Sequence, residues 1–295
     1  MPNPLDYATR YRELNVALAD GPLPIRIERY LTNLWDKEID QLADLAFAHM
    51  QKEKSITLTI NGAPVTLTDA NKFRKSVQFA GEGKGSPEDF QVAVQMAALL
   101  KKIPRNQLQA YCDAHLGLDC NGFVGNYLWY GRGGKKWPDD MPGENQGPHA
   151  LIDQILFTQT KPVASLDALR SSNINIFGLL NGQNQVVPRD GAEHAHITIS
   201  EPGRFTPTSF VTNSFGGLDP KQQNIYGHPA VWCVESTGPQ HKIGLKDAWY
   251  ALTEVIDPKT KQIKSVTANK DFKVFYVYRG TKHQWASFTI GTIAP

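Results

Sequence analysis

The chain has 295 residues, 41% of them hydrophobic, enough for a sizeable core in one large domain or in a mid-sized domain with an appendage. Its 31 basic and 29 acidic residues leave a formal net charge of +2, so no global field argues for nucleic acid as a partner. Three cysteines, Cys112, Cys120 and Cys233, are too few and too irregularly spaced for a disulfide framework or a paired-cysteine zinc site, and no apolar run approaches a membrane span.

The amino terminus carries no apolar core of secretory length, so the expectation is a soluble protein made in the cytoplasm. In KEIDQLADLAFAHMQKE, Ile39, Leu42, Leu45, Ala46 and Met50 recur at spacings of three and four, the mark of an amphipathic helix. Two alternating runs in SITLTINGAPVTLTD flank Asn61-Gly62, a pair that tolerates the positive φ angles of a tight hairpin turn. The glycine-rich FAGEGKGSPEDF reads as a linker. Ser86 as cap, Pro87 at the first helical position and the acids that follow open a helix of about four turns through FQVAVQMAALLKK.

A second helix opens at Pro104 and ends near Gly117, a third starts at Cys120, and GRGGKKWPDDMPGENQGPH is loop by its turn residues. From about Asn173 the period shifts towards two, with strands expected in INIFGLL, HAHITIS, AVWCVES, WYALTEVID, KSVTA and FKVFYVYRG. Helices followed by an antiparallel sheet define an α+β class.

The chemistry centres on LGLDCNGFVGNYLWYG. Phe123, Val124, Tyr127 and Leu128 form an apolar face, and Asp119 is placed to cap the helix. A thiol at that end meets the partial positive charge of the helix terminus, which favours the thiolate, and the Cys120 amide is placed to serve an oxyanion. The alternative is a small buried cysteine that only packs. A nucleophile needs a base, and alternation along GAEHAHITIS puts His194, His196 and Thr198 on one face of a strand, opposite Ala195, Ile197 and Ile199. The paired histidines lack further ligands at convincing spacing, so no metal is expected. Glu235, on the phase of Val231 and Cys233 in an otherwise apolar strand, is the choice for the group that orients the base, with Asn213, His228 and His196 as alternates. Trp129, Tyr130, Trp137 and Cys112 read as core or rim.

LDCNGFVGNYLW resembles the Asp-Cys-Ser-Gly-Leu/Phe-Val segment of the NlpC-type cysteine peptidases, which cut peptide stems of bacterial cell walls. EHAHITIS resembles that family's His-Val-Gly-Ile-Tyr-Ile strand, with His194 on the catalytic histidine, and SLDALRSSNINIFG its lead into a strand. The resemblance spans roughly residues 86 to 237. It implies a papain-like fold with helices packed on an antiparallel β-sheet over residues 83–295, an insertion at about 201–229, and an unmatched helical and hairpin extension over 1–82. It also implies a mechanism: Cys120 attacks an amide of a peptidoglycan stem peptide, His194 moves the proton, and Glu235 orients the imidazole. Tyr111 joins the oxyanion site, with Asn121 and His196 lining it, and no cofactor is required.

Asn121 stands where the family has serine, Ser171-Ser172-Asn173 where it has Pro-Gly-Asp, and His196 where it has glycine. A shorter alignment through GRFTP would put Pro207 in the third catalytic position. A toxin or lysis enzyme reaching the envelope by a signal-independent route, with an immunity or delivery protein as partner, fits the missing leader. The rival readings are a papain-like acyltransferase or deamidase on another substrate, and an inactive binding module.

Overall fold

The computed structural model describes residues 2–31, 36–169, 172–188, 195–206, 228–239, 242–254, 267–269, 271–282 and 284–293. The chain forms two compact units, one of residues 1–2, 6–149 and 236–245, the other of residues 3–5, 150–235 and 246–295. The expected division at 82/83 falls inside the first unit, so the hairpin region and the Cys120 helix share one body.

That first unit is mainly helical. It opens with α1 (Pro4–Arg12), the hairpin β1 (Leu14–Leu18) and β2 (Gly21–Ile25), and α2 (Lys37–Glu53), whose bounds match the sequence reading. Asp36 caps α2 by accepting from the amides of Glu38 and Ile39. The hairpin β3 (Ile56–Ile60) and β4 (Ala63–Leu67) turns at Asn61 and Gly62, with φ of 52° and 78°, as the dipeptide predicted. Helix α3 (Ala70–Gly81), which the sequence reading did not anticipate, follows. Next come α4 (Pro87–Leu100), α5 (Leu108–His115) and α6 (Cys120–Asn126). Ser86 and Asp89 cap α4 reciprocally, side chain to backbone in both directions.

The supposed linker FAGEGKGSPEDF is packed rather than loose. Phe79 to Gly81 close α3, and Gly83 and Gly85 are buried. Gly83 takes a φ of +78°, and a Cβ there would sit 2.3 Å from the Leu31 carbonyl oxygen. Its glycines serve close backbone approach, not flexibility.

The second unit holds α7 (Ile152–Gln159), the short β5 (Lys161–Pro162), β6 (Ile174–Leu179), β7 (Ile197–Thr206) and β8 (Ala230–Ser236). It continues with β9 (Leu245–Glu254), β10 (Thr267–Asn269), β11 (Phe272–Arg279) and β12 (Gln284–Ile293). All pairings are antiparallel, in the order β11-β9-β8-β7-β6-β12, and β12 pairs back onto β11, closing a six-stranded barrel. This corrects the expected papain-like fold, in which helices pack on an antiparallel sheet. The sheet closes on itself, and the other sheets among the described residues are two-stranded hairpins. The strand responsible, β12, was absent from the sequence reading.

Phe177, Leu179, Val231, Cys233, Leu252, Phe275, Val277, Phe288 and Ile290 fill the barrel. Alternate residues face outward, where α7 covers β6 and β12. A Cβ on Gly178 would lie 2.1 Å from Leu156 Cδ1, and one on Gly291 would lie 1.8 Å from Thr160 Oγ1, so glycine is what lets the helix lie flat.

Candidate active site

Cys120 is the first residue of α6, is 4% exposed and forms no disulfide. All seven residues of α6 are buried, so the helix is enclosed on every side rather than presenting one apolar face. Phe123 and Tyr127 pack on Tyr7, with ring centroids 6.2 and 5.6 Å away. Two glycines let backbone reach the helix: a Cβ on Gly122 would meet the Gly83 carbonyl oxygen at 1.9 Å, and one on Gly125 would meet that of Gly147 at 2.4 Å. Asn121 Nδ2 donates to the Pro148 carbonyl at 3.3 Å.

Asp119 caps α6 as expected, accepting from the Gly122 amide through Oδ1. Its other oxygen pairs with the Lys84 ammonium, and the two side chains are 13% and 10% exposed for Lys84 and Asp119. A carboxylate adjacent to Cys120 would oppose a thiolate there, and Lys84 supplies the compensating charge. Tyr111 is buried on α5, with its ring against His115 at 4.9 Å and its hydroxyl without a hydrogen-bond partner among the described residues. Burial raises its pKa, so it acts only as a neutral donor. Burial likewise pushes the Cys112 thiol up to about 12, consistent with a packing role.

In the barrel unit the central feature is a buried imidazole on a buried carboxylate. The His196 carbonyl accepts from Leu179 N at 2.9 Å, which extends the β6–β7 pairing, and Thr198 pairs with the inward-facing Phe177. His196 therefore shares the interior face, and the exposures are 1% for His196 and 0% for Glu235. Nε2 of His196 makes a short hydrogen bond to Glu235 Oε2, and Thr281 Oγ1 donates to Oε1. Arg279 Nη2 lies 3.6 Å from Oε2, with its guanidinium over the Phe288 ring at 5.9 Å. Burial alone would raise Glu235, but His196, Arg279 and Thr281 outweigh it and lower the carboxyl to about 2. It is an anion that accepts Nε2–H, which leaves Nδ1 as the ring nitrogen able to take a proton.

The structure thus gives Glu235 an imidazole partner, and that partner is His196, the residue expected to line the site and held as an alternate for the orienting group. His194 and Asn213 lie outside the described residues, as do residues 207–227 of the expected insertion. His228 is edge-on to Trp285 at 5.5 Å. Both faces of the histidine strand are buried, Ala195 and Ile197 as well as His196 and Thr198. Arg279 and Thr281 escaped the sequence reading, yet a signal for Arg279 was present: it continues the inward phase of Phe275 and Val277, the same misplaced-charge pattern that singled out Glu235. Cys233, on that face of β8, has its thiol pushed well up by burial.

Among the described residues, no group of three or more histidine, cysteine or acidic side chains could hold a metal, and no helix is long and apolar enough to cross a membrane. No family model, curated protein or solved structure matches the chain.

Proposed function

We propose that the protein is a cysteine amidase that cuts peptide stems of bacterial peptidoglycan, with Cys120 as nucleophile and the His196–Glu235 pair as base and orienting group. The observation that carries the reading is that pair. Removing an imidazole and a carboxylate from water is costly, and apolar side chains of similar volume fill such a position at lower cost, so a buried pair of this kind marks a chemical role. The thiol belongs to the helical unit and the pair to the barrel unit. Their assignment to one reaction rests on chain order and on the likeness of the Cys120 segment to the NlpC-type peptidases; that likeness aligns His194 with the catalytic histidine, and His196 takes the role here because it is bonded to Glu235.

As the Cys120 sulfur bonds to the amide carbon, its thiol proton goes to the general base and the carbonyl π electrons move onto oxygen. The Cys120 backbone amide supplies a hydrogen bond to that oxygen. Collapse expels the amine, which takes the proton back from the base, and leaves a thioester. Water attacks the thioester with the same base, releasing the acid and restoring the thiol. Within the barrel unit Glu235 holds His196 Nε2–H, fixing the tautomer that makes Nδ1 the working nitrogen.

Purified protein, Cys120→Ala and His196→Gln are incubated with muropeptides and the products read by mass spectrometry. The wild type alone should split a stem peptide, and the mass names the bond. Cleavage by Cys120→Ala would sink the mechanism, and cleavage by His196→Gln would sink the assigned base.

A further inference from the structure

We infer that Arg279 is a positioning residue whose charge balances Glu235 so that His196 rests as a neutral imidazole, ready to accept a proton. The inference rests on the proposed role of the His196–Glu235 pair, and its test reads His196 without substrate.

The reasoning is a count of charge in a dehydrated place. Arg279 is 1% exposed, and its ion-pair partner among the described residues is Glu235. A buried cation requires a counter-charge, and a buried carboxylate requires the same. With Arg279 and Glu235 both ionised the cluster sums to zero when His196 is neutral, and protonating the imidazole adds an unbalanced positive charge. Without Arg279 the balance inverts, because imidazolium and carboxylate then sum to zero and the neutral ring leaves a bare buried anion. A histidine beside a lone buried carboxylate would be locked in its protonated form and useless as a base.

The surrounding groups of this unit point the same way. From β8 come Glu235 and the Cys233 thiol, from β9 the Tyr250 phenol, which burial pushes well up and keeps neutral, and from β11 Arg279. Lys282, in the turn after β11, is shifted down by partial burial and by the charges of Arg279 and Lys246, while Glu235 opposes that shift. These added cations favour the neutral ring further. Thr281 completes the arrangement by occupying Oε1, which leaves Oε2 to be shared by His196 and Arg279.

The test follows the imidazole nitrogen resonances of the full chain by NMR across pH, with His196→Gln to assign the signal. In the wild type the His196 ring should be neutral at pH 7, protonated on Nε2. Arg279→Met should move its titration to higher pH, and Arg279→Lys, which restores the charge, should return it towards the wild-type position. The acid limb of any muropeptide cleavage should move upward with the Arg279→Met titration. An imidazolium at pH 7 in the wild type, no upward movement in Arg279→Met, or equal behaviour of the two variants would each overturn the inference. The wild-type measurement decides it even where Arg279→Met fails to fold. A His196 that titrates as described in a protein that cleaves no muropeptide would leave the charge balance standing and remove only the functional reading.

Discussion

Each unit buries a carboxylate, and the two are shifted in opposite directions. Asp89 in the helical unit accepts from Ser76 Oγ at 2.5 Å, and from Trp137 Nε1, the Ser86 amide and Ser86 Oγ, each at 2.8 Å. Despite these donors burial pushes its pKa up to about 6, and none of its partners among the described residues is a cation. Glu235 in the barrel, equally buried, has fewer hydrogen bonds but also an arginine and a histidine, and is lowered to about 2. Neutral donors soften the cost of burying a carboxylate, whereas a cation reverses it. Asp89 is therefore a cap that tolerates protonation, and Glu235 is a charge the fold maintains.

The largest test of that difference is Glu235→Gln, which keeps the shape and leaves Arg279 without its counter-charge. It should cost about 3–5 kcal/mol in urea unfolding at pH 7. A loss below about 1 kcal/mol would mean that the ion pair is already solvated or relaxed and would break the comparison. The pH signature follows from the direction of the shift. Because the folded value lies below the ordinary 4.5, the stability Glu235 supplies is present above pH 4.5 and drains away as pH falls towards about 2. The gap between wild type and Glu235→Gln should close over that interval.

Asp89→Asn should show the opposite trend on a smaller scale. The folded value of Asp89 lies above the ordinary 3.8, so its ionisation weakens the folded state as pH rises from 3.8 through about 6. The advantage of wild type over Asp89→Asn should be greatest near pH 4 and should shrink by up to about 3 kcal/mol by pH 7. Parallel curves for the two variants would show that the cation makes no difference.

Much of the helical unit was legible because its signals are local. The Ser86 and Asp119 caps, the phase of α2 and the Asn61-Gly62 turn each act within four residues. The barrel was legible only strand by strand. In β12 Ala286, Phe288 and Ile290 alternate with Ser287, Thr289 and Gly291, a period-two signal that the sequence does carry; what no local pattern reports is that this strand pairs with both β6 and β11 and so closes the sheet. The likeness to the NlpC-type peptidases drew His194 onto the catalytic position, whereas the described residue bonded to Glu235 is two further along the strand. That partnership spans 39 positions, and the one with Thr281 spans 46. Contacts of that range depend on strand register, which a one-residue slip would invert, and no local pattern reports them. The glycine-rich 79–90 segment misled for a related reason: the need for glycine at Gly83 comes from the Leu31 backbone arriving from elsewhere in the chain.

Asp119 sharpens the comparison, because it combines the two environments: a helix amide on one oxygen, as for a cap, and the Lys84 cation on the other. Lys84→Met removes the cation and keeps the amide, leaving an uncompensated carboxylate next to Cys120. Iodoacetamide labelling of Cys120 near pH 7 should slow by roughly fivefold, the equivalent of about 1 kcal/mol for a partly exposed pair. Lys84→Arg should label near the wild-type rate, since it restores charge at similar reach. The direction distinguishes electrostatics from packing. A looser helix terminus would expose the thiol and speed labelling, whereas a carboxylate stripped of its partner slows it. Faster labelling in Lys84→Met would assign Lys84 to holding the Gly83–Gly85 segment against α6, and Asp119 would then belong with Asp89 as a cap alone.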